Sequence, residues 1–121
     1  MPKLSNKQMS VEHENFIAET FGGKRERASG ASITAPGDVF VAVRSSPYEE
    51  PILFECKVSE SGGVSISAAG IQKIREEAAT RGARPMVALR LRNPYDKSKH
   101  IDVIVKLLDD ELEDISWRCS H

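Results

Sequence analysis

An Asp at the mouth of one apolar run and a Glu-x-Lys at the end of the next constrain this chain more than any other feature. The runs are Pro36-Gly37-Asp38-Val39-Phe40-Val41 and Ile52-Leu53-Phe54-Glu55-Cys56-Lys57, separated by the polar break Ser45-Ser46-Pro47-Tyr48-Glu49-Glu50. Side chains alternate across a β-strand, so Glu55 and Lys57 share a face and Cys56 points the other way. If the two runs pair as neighbours, Asp38, Glu55 and Lys57 converge on one small volume. Two carboxylates beside an ammonium suit a divalent cation and an activated water.

The rest of the chain supplies a scaffold for that pair of strands. Glu12 and Glu14 follow a candidate N-cap, Ser10, after a polar lead-in over residues 1–9. Val11, Ile17, Ala18 and Phe21 then lie on one helical face, and Gly22-Gly23 ends the helix. At about 100° per residue Glu14 lies near the middle of that apolar face and Glu12 well off it. An inward carboxylate needs a partner or a task; Glu12 takes its place if the register slips.

Strands are predicted over 24–28, 38–44, 51–58, 86–91 and 101–106, with loops over 29–36 and 59–63. A second long helix is predicted over 67–81, with Ile71, Ile74 and Ala78 inward and Gly82 as its stop. Residues 107–115 read as a short acidic helix or tail, within an acidic C-terminal stretch over 109–121. The order α-β-β-β-α-β-β predicts a mixed central sheet flanked by helices, an α/β fold, in a single domain of 121 residues.

Composition narrows little beyond this. The chain is 40% hydrophobic and 29% charged, as in an ordinary globule. No apolar run approaches the roughly 20 residues of a membrane span, and no signal peptide is visible in residues 1–10, so a cytoplasmic location is expected. Cys56 and Cys119 form no metal-spaced cluster, and His13, His100 and His121 read as surface residues. The net charge of −1 is uneven: five carboxylates face only Arg118 in residues 109–121, leaving the preceding 108 residues net positive. A nucleic-acid partner is neither favoured nor excluded by that balance.

An acidic residue on a first helix, then Asp, then Glu-x-Lys resembles the PD-(D/E)XK nuclease superfamily, with a restriction-endonuclease-like core. Within it the chain is most similar to the small Holliday-junction resolvases of archaea and some bacteriophages. The resemblance runs through Glu14-Asn-Phe-Ile-Ala-Glu-Thr-Phe-Gly22, Arg27-Ala-Ser-Gly30, Gly37-Asp38, Phe54-Glu55-Cys56-Lys57 and Gly82-Ala-Arg-Pro85. The usual Pro-Asp is Gly37-Asp38 here, with Pro36 one residue early.

The resemblance implies an endonuclease for four-way junctions in bacterial, archaeal or phage-infected cytoplasm. Asp38, Glu55 and the Cys56 carbonyl would hold Mg²⁺, with Mn²⁺ as a substitute, and Glu14 would bind through water or hold a second ion. Lys57 would orient or deprotonate the attacking water. Gln72, or else Lys73, would stand near the site on the second helix. Lys24, Arg25, Arg27, Ser29, Lys73 and Arg75 are the candidate DNA contacts, with Arg81, Arg84, Arg90 and Arg92 as further phosphate contacts. A two-fold homodimer is expected, through 85–91, 101–108 or the helix from Ser67. The alternatives are another structure-specific or restriction-like nuclease of the superfamily, or a non-catalytic subunit that binds DNA structure.

Overall fold

The computed structural model describes residues 6–26, 38–60 and 62–120. A five-stranded mixed sheet runs in sequence order: β1 (Lys24–Arg25), β2 (Val39–Val41), β3 (Ile52–Ser59), β4 (Arg84–Arg92) and β5 (His100–Lys106). Only β3 and β4 are parallel, in register from Ile52↔Arg84 to Ser59↔Leu91. The other neighbours are antiparallel. Helix α1 (Asn6–Phe21) precedes the sheet, α2 (Ala68–Thr80) makes the crossover between the parallel strands, and α3 (Leu108–Ser120) follows β5. A 3-10 turn, Val43–Ser45, leaves β2. The predicted α/β architecture, a mixed sheet flanked by helices, and the order of elements along the chain are those observed.

Alternation divides the core into two layers. Val39, Val41, Ile52, Phe54, Met86 and Ala88 face α1, where Ile17 and Ala18 meet them and the Phe21 and Phe54 rings stand 4.9 Å apart. Val87 and Leu89 face α2 and pack on Ile74, with Ile71, Val64, Val103 and Val105 around them. Burying a side chain such as Phe54 contributes about 2–3 kcal/mol.

Helix ends follow local chemistry. Gly22 takes φ 70° and the Gly23 N–H donates to the Ala18 carbonyl at 2.7 Å, closing α1. A Cβ on Gly23 would stand 2.7 Å from the Phe40 carbonyl oxygen, so only glycine lets α1 turn directly into the sheet. Ser67 caps α2, its hydroxyl accepting from the Gly70 N–H.

Three expectations need correction. The first helix starts at Asn6, inside the stretch read as lead-in, so Ser10 is an interior helical residue and not a cap. His13 is fully buried, not a surface residue. Of the two readings of the acidic segment, helix or tail, the helix holds, as α3. It is held by Arg84, 4% exposed, whose guanidinium donates to Asp114 at 2.7 and 2.8 Å and to Glu50 at 2.7 Å. Lys106 adds ion pairs to Glu111 and Asp114, and both cations lie over the Tyr48 ring. Finally, 85–91 cannot serve as a subunit edge, because β4 is hydrogen-bonded on both sides.

Candidate functional site

The site forms where β2 and β3 separate. The Asp38 N–H donates to the Phe54 carbonyl at 2.9 Å, and its own carbonyl accepts from Glu26 N–H at 2.8 Å. Beyond that point the Cys56 N–H has no strand partner in β2; it donates instead to Asp38 Oδ2 at 2.8 Å. The bond fixes the Asp38 carboxylate against β3. Val39 pairs with Phe54, so Asp38 stands beside Glu55 one step further along.

Glu55 and Lys57 lie on the α2 face, in register with Val87 and Leu89. Burial pushes the Glu55 carboxyl up to about 7, and the negative charge of Asp38 adds to the rise. Lys57 opposes it, Glu77 reinforces it, and Lys73 opposes it. A carboxyl held near neutrality by burial and a like charge lacks sufficient positive compensation. A hard divalent cation at Asp38 and Glu55 would provide it, with water completing the shell. The donor set therefore fits Mg²⁺ or Mn²⁺ in chemistry. Among the described residues, no three His, Cys, Asp or Glu side chains are gathered closely enough to hold a metal ion.

Cys56 points to the α1 face and packs against that layer. Burial, with Asp38, Glu14 and Glu55 nearby, pushes its thiol well above the ordinary range. A protonated thiol is a poor ligand, which leaves the Cys56 carbonyl as the group to consider.

Glu14 is inward, 6% exposed, and Glu12 is exposed, which resolves the alternative between them. The Glu14 carboxylate is engaged by Arg25, whose Nε donates at 3.0 Å from β1. Their pairing explains how α1 tolerates an inward carboxylate and spends Arg25 on the fold.

The remaining candidates divide between the two flanks of α2. Gln72 is exposed and its amide donates to Glu76 at 3.3 Å, away from the charges bearing on Glu55. Lys73 is the helix cation that does bear on Glu55, and it lies 4.0 Å from Glu77. Arg75 stands 3.9 Å from Asp109 at the start of α3, beside Ile71, Pro85 and Leu107. Lys24 is exposed on the edge strand. Arg27 and Ser29 lie outside the described residues.

Several arginines proposed for phosphate are committed elsewhere. Arg84 holds α3, Arg90 grips Asp102 at 2.8 and 3.1 Å, and Arg81 donates to Glu26 at 3.1 Å while stacking 3.8 Å over Phe40. Glu77, whose charge bears on Glu55, was not singled out from the sequence. Its signal was available, since Lys73, Glu77 and Arg81 recur every four residues along one helical stripe.

No protein-family model matches the chain, and no curated protein sequence does so. Among solved structures it is similar to Hjc, a Holliday junction resolvase from the archaeal hyperthermophile Archaeoglobus fulgidus. The TM-score is 0.51 with 16% identity, over 77% of this chain and 86% of Hjc. This chain has the resolvase fold. At that identity the likeness is one of fold, and a fold hosts many chemistries. Function must be argued from Asp38, Glu55 and Lys57.

Proposed function

We propose that the chain is a divalent-cation-dependent endonuclease that nicks branched DNA, with the four-way junction as its first substrate. The observation that carries the proposal is the convergence of Asp38, Glu55 and Lys57 where β2 and β3 part, with the Glu55 carboxyl raised to about 7 by burial first and by the Asp38 charge beside it. A resolvase fold around that site adds support.

Asp38 and Glu55 would hold Mg²⁺, or Mn²⁺ in its place, with the Cys56 carbonyl as a third oxygen. Bound there, the ion would polarise the scissile phosphate and acidify a coordinated water. The Cys56 N–H keeps the Asp38 carboxylate in one orientation, so no reorganisation accompanies binding. Lys57 would orient the attacking water and offset negative charge gathering on the phosphate. Glu14 is bonded to Arg25 on the α1 face near Cys56, so it would hold the fold beside the site and leave the ion to Asp38 and Glu55. Lys24 on the edge strand, with Arg27 and Ser29 beyond it, would contact the DNA backbone. Such contacts position a duplex without reading its sequence. Lys73 would add a cation from α2.

A junction has two-fold symmetry and requires two nicks, so the working unit would be a C2 dimer. The exposed apolar stripe of α3 (Leu108, Leu112, Ile115) offers the surface for it, with Ile101 and Ile104 exposed on opposite faces of the edge strand β5 before it.

The experiment that tests this reading compares a labelled four-way junction, a flap, a linear duplex and a single strand, using wild type and Lys57→Ala. Junction-selective nicking by wild type, with Lys57→Ala binding the junction but not cutting it, supports the proposal. Equal cutting of the linear duplex would assign the chain to another nuclease class.

A further inference from the structure

The flank of α2 that carries Lys73, Glu77 and Arg81 is fixed over the proposed site by its last member. Arg81 stacks on Phe40 and donates to Glu26, whose N–H is bonded to the Asp38 carbonyl. Phe40 is paired with Leu53, so Arg81 marks the level of Leu53 on the face that also bears Glu55 and Lys57. Helix α2 crosses back between two parallel strands and runs opposite to β3. Four helical residues rise roughly 6 Å and two strand residues roughly 6.6 Å. Stepping back from Arg81 to Glu77 therefore matches stepping on from Leu53 to Glu55, and Lys73 reaches the level of Lys57.

We propose that Glu77 is a positioning residue of the cation site, accepting hydrogen bonds from the water shell of the ion held by Asp38 and Glu55. The inference rests on the metal-dependent reading above. Glu77 is half-buried on the inner half of α2, beside Ile74 and Ala78, and its negative charge is felt at Glu55. Lys73 lies 4.0 Å away, a loose pairing. Glu14, the carboxylate expected in this role, is instead bonded to Arg25 at 3.0 Å. Mg²⁺ and Mn²⁺ keep several waters whose protons need acceptors, and outer partners of this kind are worth about 10–100-fold in metal affinity. Among the described residues no three carboxylates are close enough to share one ion directly, so Glu77 would act through a water of the ion's shell.

The test is titration of the DNA-free protein with Mn²⁺, read by electron paramagnetic resonance of the free ion. The variants are Glu77→Gln, Glu77→Asp, Asp38→Asn and, as a control, Glu76→Gln on the solvent side of α2, with circular dichroism to establish that each folds. Wild type is expected to bind, Asp38→Asn to lose binding, and Glu77→Gln to weaken it about tenfold. Glu77→Asp is expected to bind more tightly than Glu77→Gln, because it keeps the carboxylate. A merely structural role would reverse that order, since Gln keeps the shape. Wild-type affinity in Glu77→Gln, or loss of affinity equal in Glu76→Gln, overturns the inference and leaves the metal site standing. Absence of Mn²⁺ binding by wild type overturns both.

Discussion

At the scale of single residues, Glu55 and His13 set opposite pH limits on the fold. The Glu55 carboxyl is raised from 4.5 to about 7, so between these values the unfolded chain has released a proton that the folded chain retains. Its contribution to stability therefore falls as pH rises from about 4.5 to 7 and stays low above. Thermal melts in chelator should show this loss in wild type and not in Glu55→Gln. Asp38→Asn should lower the Glu55 midpoint, measurable by carboxyl-carbon NMR, because it removes a charge that opposes ionisation. His13 behaves differently. Burial first, then Arg90, lowers it from 6.5 to about 4, against the attraction of Asp102 3.9 Å away. The unfolded chain then takes up a proton that the folded one refuses, and stability falls from about pH 6.5 down to 4. Among the described residues neither ring nitrogen has a hydrogen-bond partner. His13→Leu should match wild type at pH 7 and exceed it increasingly towards pH 4, as read by urea unfolding.

At the scale of elements, legibility followed periodicity. The α2 stripe of Ile74 and Ala78 was plain because it buries one face against one layer, and β3 was plain as a continuous apolar run from Ile52 to Phe54, buried on both faces. The inward Glu14 was legible from helical angle alone. Its commitment to Arg25 was not, because it depends on β1 crossing beside α1. His13 was misread because a polar residue next to an apolar stripe carries no signal of depth. The start of α1 was missed because Ser10 has the chemistry of a cap, and nothing local distinguishes a cap from an interior serine. The acidic segment after β5 was left between helix and tail because Arg84, which fixes it through Asp114, comes from a distant strand. Arg84 also sets a prediction for this element. Asp114→Asn removes the bidentate partner from a buried guanidinium, which keeps Glu50, and should cost about 1–3 kcal/mol in denaturant unfolding. Asp114 is lowered to about 2, chiefly by Arg84, so its contribution is complete above about pH 4 and is lost as pH falls through 2.

At the scale of the whole molecule, the sheet places its chemistry at one end and its apolar surface at the other edge. Asp38, Glu55 and Lys57 lie where β2 and β3 part, whereas Ile101 and Ile104 are exposed on β5, the edge strand next to α3. Two copies joined through β5 and α3 would leave both sites open to DNA. Leu112 is 53% exposed, so Leu112→Lys should leave the monomer folded while shifting sedimentation from dimer to monomer. The α/β class and the order of elements along the chain could be read from the alternation of periods, but the choice among superfamily substrates could not, because the Asp and Glu-x-Lys chemistry is common to them. The most direct measurement is Mg²⁺-dependent cleavage of a labelled immobile four-way junction beside a linear duplex of the same sequence, with Asp38→Asn as control. Paired symmetric nicks in the junction alone, abolished by Asp38→Asn, are predicted. A folded wild-type protein that cuts no DNA in Mg²⁺ or Mn²⁺ would contradict the account.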